Sequence, residues 1–310
     1  MKILDSKRIA FALFLLPGVG AFAQTSTQGL LAVVGAAGPT LASDLVNAAT
    51  GALSQAQVIN EAQVVGGAFT HVTAHPTGRF VYAVGLFING YTIDAGDGAL
   101  TPVAGSPYLV PASAQSGGVA VEASGRFLYV GVGVGVLGYT IDPATGALTS
   151  AIAGSPFAVR SGEAVALVSD GAGKYLYAAG ANGGVSVLAI DATTGALTEI
   201  AGSPFGSGST VNGLAMDPQK RFLFVSGTNG IAGYAINGTT GGLTPLAGSP
   251  FFPGVQTDGV SFDGSGRFLY ALQTSTSSLW GLAVDGTSGN LNSCRETRTC
   301  VELVISHASE

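Results

Sequence analysis

The chain has 310 residues, only 10% of them charged, with 48 glycines and a formal net charge of −6. That balance excludes a nucleic-acid partner, because such binding draws on clustered Lys and Arg, and the only basic cluster lies at the extreme N-terminus. Aromatic and β-branched residues are too plentiful for disorder, so short, tightly turned strands covered on both faces are expected.

At the N-terminus, Lys2, Lys7 and Arg8 precede an apolar run from Ile9 to Val19 and then Ala21-Phe22-Ala23 before Gln24. This is the layout of a secretory signal, so residues 1–23 are expected to be a removable leader and the mature chain to be exported, periplasmic or extracellular. The run is short for a bilayer and contains Pro17 and Gly18. No membrane span is therefore expected after cleavage.

Residues 29–35 read as a strand and residues 41–53 as the following hairpin. From there one unit recurs. A Gly-Arg-Phe-like element falls at Arg79-Phe80, Arg126-Phe127, Lys174-Tyr175, Arg221-Phe222 and Arg267-Phe268. A Thr-Gly-Ala-Leu-like turn has its glycine at Gly51, Gly98, Gly146, Gly195, Gly241 and Gly289, and a Gly-Ser-Pro-aromatic element ends at Tyr108, Phe157, Phe205 and Phe251. A fixed spacing of this size marks units that bury their apolar faces only by stacking on neighbours.

With residues 118–157 as template, four strands follow: A (118–123), B (127–132), C (136–141) and D (147–153). Ser124-Gly125 makes the A–B turn, where glycine supplies a positive φ, and Asp142 to Gly146 makes the C–D turn with an Asx-type start. Strand B is apolar at Phe127, Leu128, Tyr129 and Val130 in succession, as a strand covered on both faces must be. Pro156 is placed at the end of strand D, on an edge where no ladder bond is lost. The fold class is therefore all-β: a β-propeller of four-stranded antiparallel blades with six countable units, occupying residues 24–293. The first unit lacks its inner strand A. The tail, residues 294–310, is charged and breaks the pattern, and Cys-Val-Glu-Leu-Val-Ile (300–305) either supplies that missing strand and closes the ring or is a foreign ending. Cys294 and Cys300 are either bonded or two free thiols, and their spacing makes a poor zinc site.

The strings PTGRFVYAV (76–84), YTIDPATGALT (139–149) and AGSPF (153–157) resemble the repeats of the lactonase-like β-propeller family, which includes bacterial 6-phosphogluconolactonases and fungal carboxymuconate-lactonising enzymes. The resemblance implies a propeller, usually of seven blades, and lactone hydrolysis as the activity. It also implies a histidine before strand A of an early blade in a Pro-x-His-Val context; Phe69-Thr70-His71-Val72 matches this without the proline.

Alternating strand directions put the A–B and C–D turns at one end of the ring and the B–C loops and D–A linkers at the other. The first end is nearly uniform, so Arg79, Arg126, Arg221 and Arg267 are read as turn-stabilising residues, and His75 as another turn residue. The second end varies, and there His71, Glu163, Asn212 and Asp258 precede or open strand A, with Arg160 nearby. His71 or Glu163 is the expected catalytic base for water attacking a lactone carbonyl; Arg160, Asn212 and Asp258 are the expected substrate-binding groups, Asn212 as oxyanion donor. The rim offers too few convergent acids or histidines for a metal, so neither metal nor cofactor is expected. A monomer acting on a small-molecule lactone is the first reading. The rival is a non-catalytic exported propeller that binds an extracellular protein or carbohydrate through the same rim, with Phe69, Tyr108 or Phe252 exposed there.

Overall fold

The computed structural model describes residues 28–35, 40–47, 53–59, 69–110, 117–206, 210–276, 278–293 and 303–304. The expected leader and the Cys294/Cys300 pair lie outside these residues. Blade 1 holds β1 (Gln28–Gly35), β2 (Thr40–Asn47) and β3 (Leu53–Ile59). Blade 2 holds β4 (His71–Ala74), β5 (Phe80–Val84), β6 (Phe87–Ile93), β7 (Leu100–Pro102) and β8 (Tyr108–Leu109). Blade 3 holds β9 (Val119–Val121), β10 (Phe127–Val132), β11 (Gly135–Ile141) and β12 (Leu148–Ala151). In blade 4 these become β13 (Ala164–Ser169), β14 (Tyr175–Gly180), β15 (Gly184–Ile190), β16 (Leu197–Glu199) and β17 (Phe205–Gly206). Blade 5 has β18 (Val211–Met216), β19 (Phe222–Gly227), β20 (Gly230–Ile236) and β21 (Leu243–Pro245). Blade 6 has β22 (Gly259–Phe262), β23 (Phe268–Gln273), β24 (Ser278–Val284), β25 (Leu291–Ser293) and β26 (Leu303–Val304). Every described pairing between these strands is antiparallel and, within each of blades 2 to 6, the main strands pair in chain order, as the repeat implies.

The inner strands β4, β9, β13, β18 and β22 stand side by side. Strand B of each blade is apolar at consecutive positions because its two faces serve two neighbours. Leu128, Val130 and Val132 join a core with Phe80, Tyr82 and Val84 of blade 2, while Phe127 and Tyr129 join one with Leu176, Ala178 and Leu188 of blade 4. Each such side chain withdrawn from water stabilises the stack by about 1.5–3 kcal/mol.

Two expectations are corrected. Strand D does not run on to the proline. The backbone turns at Gly154, and the aromatic of the Gly-Ser-Pro element returns to strand C: β8 pairs with β6, β17 with β15, and Phe157 and Phe251 bridge Val136 and Ile231. Where strand D departs, the serine hydroxyl takes its place, accepting the strand C amide at Ser106–Gly90, Ser155–Gly138, Ser203–Val187 and Ser249–Gly233. The motif's serine is a side-chain substitute for a missing ladder acceptor. The second correction concerns the tail. Leu303 and Val304 pair with Leu279 and Ser278 of β24 and not with the first sheet. They fill in blade 6 the place that the aromatic element fills elsewhere, because the same half of strand C is left unpaired there. Among the described residues, blade 1 has three strands and no inner fourth.

The repeated arginines stabilise turns, as read, but the turns belong to the next blade. Arg79 donates to the carbonyls of Pro143 and Ala144, Arg126 to those of Ala192 and Thr193, and Arg221 to that of Gly286. Each guanidinium also lies over the aromatic ring that follows it. Deeper in, Tyr82, Tyr129 and Tyr177 donate to the carbonyls of Gly146, Gly195 and Gly241 at 2.7, 2.8 and 3.2 Å. Arg, aromatic and Tyr thus form one latch from blades 2 and 3 to the C–D turn of the next blade, with Lys174 in place of the arginine in blade 4 and Phe224 in place of the tyrosine in blade 5.

Candidate functional site

The rim formed by D–A linkers and B–C loops is built from the first residues of the inner strands. His71 opens β4 opposite Val84, the last residue of β5. Its side chain is half-buried, and Nδ1 is out of solvent without a hydrogen-bond partner. Burial lowers its pKa from 6.5 to about 4. The imidazole is therefore neutral near pH 7.

Glu163 stands immediately before β13, where its carbonyl accepts the Ala181 amide of the B–C loop. Its side chain is half-buried. Blade 3 begins its inner strand with Gly117-Gly118, so among the described residues the start of that strand carries no side chain between β4 and β13. Any Cβ at these glycines would overlap the backbone of Ala164 and Ala166, which is why the residues are glycine. Asn212 is the extra residue of a bulge in β18, a device that re-aims a side chain. Its amide donates to the Thr257 carbonyl at 2.9 Å, which ties it to the residue before Asp258. Asp258 accepts from Gln256 at 3.0 Å and its amide donates to the Leu272 carbonyl. Asn212 and Asp258 are thus brought together, and His71 and Glu163 open inner strands at the same end three blades and one blade before Asn212.

Arg160, expected as a substrate-binding group near the start of strand A, has its guanidinium tied to the outer edge of its own blade. Its Nε lies 3.3 Å from Glu199 Oε2 on β16 and its guanidinium donates to the Ser203 carbonyl in the turn between β16 and β17, both at the outer edge of blade 4. Glu199 holds it there, because the half-buried carboxylate would otherwise lack a counter-charge. The other Glu199 oxygen accepts from Ser186 and Ser203, and the Ser186 hydroxyl accepts the Ser161 amide. This network, which fastens the linker leading to Glu163, was missed in the sequence. A signal existed: the residues that pair with strand C at this place in the other blades are Pro102, Ala151, Pro245 and Ser293, and the charged Glu199 is the departure.

His75 is a turn residue, as read. It is buried, its Nε2 bonds the Gly125 carbonyl at 2.8 Å, and its Nδ1 pairs with Thr77. The aromatics expected on the rim are not free. Phe69 is buried, the Tyr108 hydroxyl donates to the Ala104 carbonyl, and Phe252 packs edge-on against Trp280. Among the described residues no three His, Cys, Asp or Glu side chains gather in a metal-binding group.

The sequence profile of the family described as "Lactonase, 7-bladed beta-propeller" matches residues 46–212, more than half of the chain. No curated protein sequence matches the chain. Among solved structures, a periplasmic gluconolactonase from Pseudomonas aeruginosa superposes with a TM-score of 0.66 at 18% identity, over 87% of this chain and 82% of its own. A protein from Lactobacillus plantarum gives 0.62 at 18% identity, over 85% and 80%. The β-propeller domain of Myceliophteria thermophila Swd1 gives 0.54 at 14% identity, over 79% and 76%. At these identities the likeness speaks for the fold alone.

Proposed function

The chain belongs to the lactonase family of β-propellers, and from that premise we propose that it hydrolyses a sugar-acid or related lactone at the rim that carries His71. The observation that carries the reading is a neutral imidazole with an unpartnered, buried Nδ1 at the start of an inner strand. Glu163, Asn212 and Asp258 lie along the same rim.

Water attacks the lactone carbonyl as His71 takes its proton, forming the C–O bond and a tetrahedral oxyanion. The Asn212 amide, which spends one hydrogen on Thr257, has a second to offer that oxyanion. The ring C–O bond then breaks, and the imidazolium returns the proton to the departing alkoxide, giving the hydroxy acid. Glu163 is the alternative base, and Asp258 orients substrate hydroxyls. Arg160, held by Glu199, contributes through the linker it fastens. No step calls for a metal or an organic cofactor. Action outside the cytoplasm, after loss of residues 1–23, is supported by the charged and apolar layout of that segment and fits a fold shared with a periplasmic gluconolactonase.

The test is hydrolysis of a panel of aldonolactones followed in a pH-stat, with and without a chelator. His71→Ala should lower kcat/KM by about 10²–10⁴-fold, and the chelator should leave the wild-type rate unchanged. Absence of turnover on every lactone, or an undiminished variant, sinks the reading. A second reading, binding of an extracellular partner, is favoured by one observation. Leu86 and Val134 in successive B–C loops and Leu109 in the adjoining linker are exposed large apolar side chains on this same end. A folded protein that turns over no lactone would leave that reading standing.

A further inference from the structure

The end of the ring that carries His71 is not uniform in polarity. In blades 2 and 3 the chain passes from strand B to strand C through Gly85-Leu86 and Gly133-Val134, and each tip presents an apolar residue to water, Leu86 61% and Val134 55% exposed. The corresponding tips of blades 4, 5 and 6 present Asn182, Asn229 and the Thr274–Thr276 turn instead. Leu109, 69% exposed, pairs with Phe87, the residue after Leu86, and so stands next to the blade 2 tip. Charge divides the same way. The sequence has no charged residue between Arg79 and Asp94, between Asp97 and Glu122 or between Arg126 and Asp142, and those six bounding residues lie in or beside the A–B and C–D turns at the opposite end. A single exposed leucine is ordinary. Three large apolar side chains on an uncharged stretch of two neighbouring blades mark a surface suited to a ligand.

His71 belongs to this sector. It opens β4 opposite Val84, and Val84 is two residues before Leu86. Glu163, Asn212 and Asp258, the groups able to hold oxygen atoms, belong to blades 4 to 6. A sugar lactone, with polar groups around its whole ring, would leave the hydrocarbon sector facing water. A lactone with a polar ring and an apolar chain matches both sectors. We propose that the substrate is a lactone bearing a saturated hydrocarbon substituent, with its ring at His71 and its chain laid over Leu86 and Leu109 toward Val134. The proposal rests on hydrolysis at His71 and narrows its substrate class: opening of the ring by water leaves a hydroxy acid that carries the same chain.

The experiment measures kcat/KM in a pH-stat for γ-butyrolactone, γ-hexalactone, γ-octalactone and γ-decalactone, each below its solubility limit, with the wild type and with Leu86→Ser/Leu109→Ser. For the wild type the constant should rise about two- to fourfold per added methylene, the factor that burying part or all of a methylene supplies. The double variant should flatten that rise. Because the reading is the ratio of long-chain to short-chain lactone, a general loss of activity in the variant cancels. A flat or falling wild-type series overturns the proposal and leaves these side chains to a macromolecular partner. A rise that survives the double substitution overturns it too, since the chain then lies elsewhere. Turnover of no lactone sinks the hydrolysis reading, and the surface is then judged by equilibrium dialysis of the wild type against the same four compounds: affinity that grows with chain length upholds an alkyl-lactone site, and equal affinity removes it. Should the double variant fail to fold, Leu109→Ser alone reads the slope, and the wild-type series still decides.

Discussion

Burial changes the chemistry of His71. Free imidazole titrates near 6.5, and burial brings His71 down to about 4. Between those values the unfolded chain binds more protons than the folded one. The stability contributed by keeping this imidazole neutral is thus complete above pH 6.5 and is lost as pH falls toward 4. The wild type should lose denaturation midpoint in urea faster than His71→Gln on going from pH 7 to pH 4.5, and parallel pH dependence of the two would contradict the burial. A second residue breaks the repeat's own rule. The A–B turn takes glycine in the left-handed region at Gly78, Gly125, Gly173 and Gly266, but blade 5 places Lys220 there with φ of 63°. An L-residue pays about 1–2 kcal/mol for that region, part of which a glycine loses again through unfolded-state entropy. Lys220→Gly should raise stability by up to about 1 kcal/mol, readable as a higher urea midpoint at an unchanged slope.

At the scale of the element, the blade is defined by the serine that stands in for strand D. Ser155 Oγ lies 3.0 Å from the Gly138 amide, and no ladder partner replaces it. Ser155→Ala strands a part-buried donor and should cost about 1–3 kcal/mol, measured by chemical denaturation; a neutral result would mean that water reaches the amide. The strands themselves were legible in the sequence. Strand B, read at residues 127–132, is β10 at Phe127–Val132, because a strand covered on both faces and bounded by turn residues announces itself locally. The Gly-Ser-Pro element was misassigned to strand D for the opposite reason: its partner is strand C, some twenty residues back, and no local pattern distinguishes one edge from another.

The whole molecule is a stack of such blades held by repeated latches. Removing one hydroxyl tests that view. Tyr129→Phe leaves the Gly195 carbonyl buried without its 2.8 Å donor and should cost about 1–2 kcal/mol. Blade 5 already carries Phe224 in that place and packs it against the Phe251 and Phe262 rings instead, so the cost should stay short of unfolding. If Tyr129→Phe is silent in thermal melts, the latch works through apolar contact alone. The rim was also partly legible. Subtracting the repeat isolates His71, Glu163, Asn212 and Asp258 as departures, and the structure does set them along one end. Arg160 was isolated by the same subtraction, yet its charge is drawn to Glu199, 39 residues ahead in the sequence.

The sequence alone determined the all-β class, the order of strands in each blade, the glycine and Asx turns and the end of the ring where blades differ. All of these rest on alternation and turn chemistry within a few neighbouring residues. Tertiary structure alone decided that Arg79, Arg126, Arg221, Tyr82, Tyr129 and Tyr177 serve the next blade's turn and that Leu303 and Val304 pair with blade 6. Those outcomes depend on partners dozens of residues away in the chain, where only packing determines which donor meets which acceptor.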